Sequence, residues 1–147
     1  MTSSQTHVFF DTNLFIYLLD AQSPFHSAVS ELRKKMIASG VGLVTSAMTL
    51  GEVMTGPRRS NQEPLALQYR SAIAQVARIV SFDEKAADLY SGIRAAHRIK
   101  PPDAIQLACA ASHGVELFVT NDGDLGKLRI PAIHFIVSIP TALQLIH

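Results

Sequence analysis

Short apolar runs rich in β-branched and aromatic residues fall at positions 7–10, 42–45, 78–81, 116–120 and 134–137, separated by longer stretches whose apolar residues recur every three or four positions. The short runs read as strands and the longer stretches as amphipathic helices. The helical pattern covers 14–19, 27–38, 48–54, 64–76, 83–97 and 103–112. This alternation predicts an α/β fold with a parallel sheet. The clearest helix is the one from Asp83. There Ala86, Leu89, Tyr90, Ile93, Ala96 and His97 share a face, Glu84, Lys85, Asp88 and Arg94 turn away, and Asp83 is placed to cap the first turn. Breaker-rich stretches at 56–62 and 100–102 punctuate the pattern without a shift in composition, and no repeat is present. The expectation is one domain over 1–147, with 1–6 as a flexible N-terminus.

Composition narrows the class. Apolar residues make up 48% and charged residues 17%, a globular balance that excludes a disordered chain. Cys109 is the one cysteine, so neither an internal disulfide nor a thiolate metal cluster can form, and a reducing compartment fits. With no leader-like start and no long uninterrupted apolar run, the chain is expected to be cytoplasmic and without membrane contact. The formal charge of +1 favours no partner by itself. Assigning four acids to a bound cation, however, leaves thirteen bases facing eight acids, a surface suited to an anionic polymer.

Four acids recur at equivalent places. Asp11 follows Val8-Phe9-Phe10 and precedes an apolar helix; Glu52 follows the strand ending at Thr45; Asp103 opens the helix after Pro101-Pro102; Asp122 follows the strand through Thr120. Each has an ordinary explanation. Asp11 and Asp103 complement helix N-termini, Thr49-x-x-Glu52 matches a capping box, and Asn121-Asp122-Gly123 is turn chemistry. What those explanations omit is the shared location, the C-terminal end of a strand or the start of a helix on that side, where parallel α/β sheets bind ligands. Adjacent strands lie about 4.8 Å apart, so such carboxylates can meet around one or two cations. Mg²⁺ takes oxygen ligands and retains several waters, which suits a sparse carboxylate site.

Asp11-Thr12-Asn13, the Glu52 helix, Pro102-Asp103-Ala104 with Ile105 and Ala108, and Thr120-Asn121-Asp122-Gly123-Asp124-Leu125 together resemble the successive motifs of PIN domains, especially VapC-like toxins of type II toxin-antitoxin systems. The resemblance runs from residue 8 to about 137. It implies a three-layer α/β/α fold around a mostly parallel sheet of four or five strands. It also implies endoribonuclease activity with Mg²⁺, or Mn²⁺ as an alternative, homodimerisation and a small cognate antitoxin. Asp11, Glu52, Asp103 and Asp122 match the family's acidic positions as catalytic metal ligands. Asn13, Ser46 and Thr120 match its polar neighbours, and Asp124 is a candidate outer member. Where VapC-like chains often carry a basic or polar residue after the last-motif threonine, this one has Asn121.

The proposed division has Asp11, Glu52 and Asp103 holding the principal metal and Asp122 completing the site. Arg58 and Arg59, in the breaker-rich stretch, and Arg94, Arg98 and Lys100, before Asp103, are candidate RNA phosphate contacts. The six histidines show no metal-binding spacing; His97 is expected to pack on its helix face. An aspartyl phosphatase would need a second acid at position 13, where Asn13 stands, and a receiver domain would need adjacent acids after the first strand. A PIN-like RNA- or protein-binding regulatory module without catalysis, and a housekeeping RNA-processing nuclease, are the alternatives.

Overall fold

Parallel strands require long crossovers; three of the four here are α-helical, and the fourth, before the last strand, carries only a short 3-10 turn. The computed structural model describes residues 5–147. In chain order its elements are β1 (His7–Phe10), α1 (Thr12–Leu19), α2 (His26–Ala38), β2 (Gly42–Ser46), α3 (Ala47–Arg59), α4 (Glu63–Val76), β3 (Arg78–Val80), α5 (Glu84–Ala96), α6 (Pro101–His113), β4 (Leu117–Val119), a 3-10 turn (Leu125–Lys127), β5 (Phe135–Val137) and α7 (Ile139–Leu145). The strands form one five-stranded sheet in the order β3-β2-β1-β4-β5. All four pairings are parallel, so the sheet is parallel throughout rather than mostly. Residues 1–4 of the segment expected to be flexible lie outside the described residues. Of the other two, Gln5 Nε2 donates to the Gly40 carbonyl at 3.0 Å and the Thr6 carbonyl accepts from Gly42 N at 2.8 Å.

Alternation along the strands builds two cores. Val8, Phe10, Leu43, Leu117 and Val119 face a layer made by α1 to α4 and α7, where Leu14, Phe15, Leu32, Met36 and Ile73 are buried. Phe9, Val44 and Phe118 face the opposite layer of α5 and α6, against Ile93, Leu107 and Cys109. The in-register pair Phe9 and Phe118 stacks with ring centroids 5.0 Å apart. Such contacts across a parallel pair favour this register over a one-residue slip, which would turn every side chain to the wrong layer. The result is the expected three-layer α/β/α arrangement.

Helix α6 packs tightly on the sheet because it is faced with small residues; Ala104, Ala108, Cys109 and Ala110 are fully buried. It ends at Gly114, whose φ of 78° is left-handed and closes the helix as a glycine cap does. Asp83 caps α5 as expected, accepting from Ala86 N at 2.9 Å.

Three expectations need correction. Helix α3 does not stop before Gly56-Pro57 but runs to Arg59 with Pro57 inside it. Gly56, lacking a Cβ, relieves the clash that proline imposes on its predecessor. The reversal comes instead at Asn61, in the left-handed region at φ 55°. His97 does not sit on the α5 face; it is the extended residue that ends the helix. Finally, α7 has no counterpart among the expected helices: with seven residues and Pro140 near its start, it is too short to show a period.

Candidate active site

The strand order reverses at β1: the chain adds β2 and β3 on one side, then β4 and β5 on the other. Such a switch point opens a crevice at the C-terminal strand ends, because successive crossovers leave to opposite faces. Asp11 stands at the end of β1 in this crevice. It caps α1, its Oδ1 accepting from Leu14 N at 3.4 Å, while its Oδ2 accepts from the Thr120 hydroxyl at 2.6 Å across the switch point. The helix-cap explanation is therefore correct but incomplete.

For Glu52 the capping-box explanation fails. Helix α3 starts earlier, with Ser46 as its N-cap, so Thr49 and Glu52 are both interior. Glu52 instead accepts a 2.6 Å hydrogen bond from the Thr12 hydroxyl of α1. Asp103 occupies the first turn of α6, which begins with the Pro101-Pro102 pair. The carboxylates of Asp11, Glu52 and Asp103, from three different elements, line one cavity of about 240 Å³ with Thr12, Asn13 and Gln106. Asp122 is not in its wall. It is exposed in the turn after β4, its Oδ1 accepting from Asp124 N at 2.9 Å, and it borders an adjoining crevice with Thr120 and Ser138.

Electrostatics tie these groups together. Burial pushes the Asp11 carboxyl up to about 6, against the lowering effect of hydrogen bonds from Thr120, Leu14 and Asn13, and the Asp103 charge adds to the rise. Asp103 is raised by burial first, then by Asp122 and Glu52, while Lys100 pulls it down. Asp122, though outside the cavity wall, is thus near enough to be felt there. Like charges confined this way disfavour one another's ionisation, an unfavourable arrangement that a cation relieves.

A layer of buried polar residues lies beneath the cavity. The Gln106 amide nitrogen donates to Thr12 Oγ1 and Thr49 Oγ1, both at 2.9 Å, and its carbonyl accepts from the Ser46 hydroxyl. The Thr45 hydroxyl reaches the Phe10 carbonyl and Thr49 Oγ1, each at 2.8 Å. Ser46 and Thr120 are among the polar neighbours expected from sequence; Thr12, Thr45, Thr49 and Gln106 are not. Gln106 left a signal: it is the polar residue inside Ala104-Ile105-Gln106-Leu107-Ala108.

The donor set fits a hard divalent cation. It offers carboxylate oxygens with neither sulfur nor imidazole, and among the described residues the Asp103 carboxyl is drawn down only by the charge of Lys100. Among the described residues, no group of three or more His, Cys, Asp or Glu side chains is gathered closely enough to hold a metal ion; the three carboxylates share a cavity without meeting at one point. The arrangement is open, of the sort Mg²⁺ completes with water.

The other expected residues divide. Asn13 lines the cavity. Asp124 is turned to solvent, 3.8 Å from Lys127. Arg94, Arg98 and Lys100 line a neighbouring concavity with His97 and Ile99, and the Arg94 guanidinium donates to Tyr90 OH at 2.9 Å. Arg58 and Arg59 are in the last turn of α3 rather than a loop, and both guanidinium-to-carboxylate bonds from Arg58 go to Glu63, at 2.9 and 3.0 Å. Asn121 donates to Tyr17 OH at 3.2 Å.

Comparison with curated proteins gives no match. Solved structures share the fold. VapBC2 from Rickettsia felis, bound to a DNA fragment from its promoter, is 17% identical over 90% of this chain and 98% of that one, with a TM-score of 0.72. DNA-bound VapBC from Salmonella typhimurium is 22% identical over 92% and 99%, with a TM-score of 0.71. Mycobacterium tuberculosis VapC20, a sarcin-ricin loop cleaving toxin, is 19% identical over 86% and 98%, with a TM-score of 0.65. The PIN domain family model matches residues 8–131, which span both sides of the switch point and the whole acidic set. The chain belongs to the PIN domain family.

Proposed function

We propose that this protein is an Mg²⁺- or Mn²⁺-dependent endoribonuclease and the toxin of a toxin-antitoxin pair. The observation that carries the reading is the convergence of Asp11, Glu52 and Asp103 on one oxygen-lined cavity at the switch point of a PIN domain. In this reading those three carboxylates hold the principal metal, and Asp122, from the adjoining turn, completes the site when substrate arrives. A divalent cation there supplies an activated water and charge compensation at the phosphodiester. The chain's own part is to fix the carboxylates. Thr120 holds Asp11, Thr12 holds Glu52, and the rigid first turn of α6 presents Asp103.

RNA approaches along the concavity of Arg94, Arg98 and Lys100, whose positive charge offsets the acidic cavity and contacts backbone phosphates without reading sequence. Arg59, exposed in the last turn of α3, is a separate candidate phosphate contact. Arg58, engaged by Glu63, contributes only if that exposed pair opens. The toxin assignment is supported by the complexes sharing the fold, VapBC2 and VapBC among them. A small cognate antitoxin, a homodimeric state, a single nuclease domain and a cytoplasmic location belong to the same proposal. No helix among the described residues is long and apolar enough to cross a membrane.

The test is single-stranded RNA incubated with the protein in Mg²⁺, Mn²⁺ or EDTA. Cleavage in either metal and none in EDTA is expected, with 5'-phosphate and 3'-hydroxyl ends. Cleavage undiminished by EDTA contradicts the mechanism. A short co-transcribed partner that copurifies with the chain supports the toxin role, and its absence favours housekeeping RNA processing.

A further inference from the structure

The buried polar side chains among the described residues are Thr12, Thr45, Ser46, Thr49, Gln106 and Thr120, and every one lies beneath or beside the acidic cavity. Buried polar groups are costly unless satisfied, and here five of the six form one continuous chain of hydrogen bonds with Gln106 at its centre.

Counting protons fixes the direction of that chain. An ionised carboxylate only accepts, so the Thr12 hydroxyl, 2.6 Å from Glu52 Oε1, commits its single proton there. Thr12 can then only accept from Gln106. The group facing it must be the amide NH₂, which leaves the Gln106 carbonyl for the Ser46 hydroxyl, as the structure has it. Gln106 is also one turn beyond Asp103, so both sit on the same face of α6. One side chain thus links the N-cap of α3, the start of α1 and the helix that carries Asp103.

We propose that Gln106 is a positioning residue for Glu52. By giving its two amide protons to Thr12 and Thr49, it leaves Thr12 one way to donate, into the Glu52 carboxylate, and so fixes the position of that carboxylate at the cavity. The inference rests on the metal-site reading above, and it extends that reading from the acids to the network that orders them.

The test uses Mn²⁺ itself as probe, with the full chain and no RNA. Gln106→Leu keeps the side-chain bulk and removes the donors. Its Mn²⁺ dissociation constant, followed by electron paramagnetic resonance of free Mn²⁺, is expected to rise about tenfold or more, the usual effect of losing an outer partner of a metal ligand. In a Glu52→Gln background the same substitution is expected to change affinity less than about twofold, since its effect passes through Glu52. Wild-type affinity in Gln106→Leu, or an equal loss in both backgrounds, overturns the proposal. If Gln106→Leu does not fold, Gln106→Met takes its place in the same cycle, with the same results supporting or overturning the proposal.

A second readout is independent of metal. In the metal-free protein, the side-chain amide ¹H–¹⁵N resonances of Gln106 are expected to move on Glu52→Gln; unmoved resonances overturn the coupling. A wild-type protein that binds no Mn²⁺ but shows that movement refutes the metal site while leaving Gln106 coupled to Glu52.

Discussion

The two sides of the switch point hold their acids differently. On the β1 side, Asp11 and Glu52 each receive a 2.6 Å hydrogen bond from a buried threonine, and Asp11 is desolvated enough to titrate near 6. On the β4 side, Asp122 and Asp124 lie in an exposed turn, where the Asp122 carboxylate accepts, among the described residues, only from Asp124 N and the Asp124 carboxylate faces Lys127 at 3.8 Å. Thr120 is the link, buried at the end of β4 yet donating to Asp11. The contrast teaches that carboxylates of the same chemistry divide into a fixed set and an adjustable one. The fixed set suits permanent ligation, and the turn suits a group that joins when substrate arrives.

The largest expected effect comes from neutralising a fixed acid. Asp11→Asn should lower metal-dependent RNA cleavage about a thousandfold, several kcal/mol of lost transition-state stabilisation. In the same variant the metal-free protein should melt higher, since the amide carries no desolvated charge. A nuclease assay and a thermal melt on one preparation check both.

Next in size is a pH effect. The folded Asp11 pKa of about 6 lies above the ordinary 3.8, so between those values the native state binds the extra proton. Its contribution to stability is greatest below pH 3.8 and is lost as pH rises through about 6, a change of up to about 3 kcal/mol in the metal-free protein. The difference between wild type and Asp11→Asn in denaturant unfolding at pH 4.5 and 7.5 isolates this from other titrating groups. Thr120→Val removes a bond that lowers this pKa, so the Asp11 midpoint in the metal-free protein, followed by its carboxyl ¹³C shift, should move upward from about 6. A midpoint that moves down, or stays, breaks the claimed link across the switch point.

The turn should give the smallest effects. Asp122→Asn is expected to cost less than Asp11→Asn, about tenfold in cleavage, and Asp124→Asn to change stability by no more than about 0.5 kcal/mol. Equal losses at Asp11 and Asp122 would erase the distinction between the two sides.

Much of this is legible before the fold. Strand positions and the two-layer core follow from apolar runs such as Val8-Phe9-Phe10, whose alternate members serve opposite layers. The location of Asp11 and Asp122 follows from their place directly after strands, and that of Asp103 from the proline pair that opens its helix. The capping box at Thr49 and Glu52 misleads because the spacing carries no information about where a helix starts; the earlier N-cap at Ser46 decides that. The Gly56-Pro57 pair reads as a break, yet a helix tolerates proline when its predecessor lacks a Cβ. Gln106 stands out in an apolar helix, but its partners lie 57, 60 and 94 residues away, distances that no local pattern encodes.

The claim that the separated acids make one cation site is tested most directly by the Mn²⁺ dependence of the melting temperature in wild type and Asp103→Asn. Binding to the native state alone should raise the wild-type melting temperature with Mn²⁺ concentration, and Asp103→Asn should lose that response while keeping its metal-free fold. An identical shift in the two proteins, or none in wild type, would contradict it.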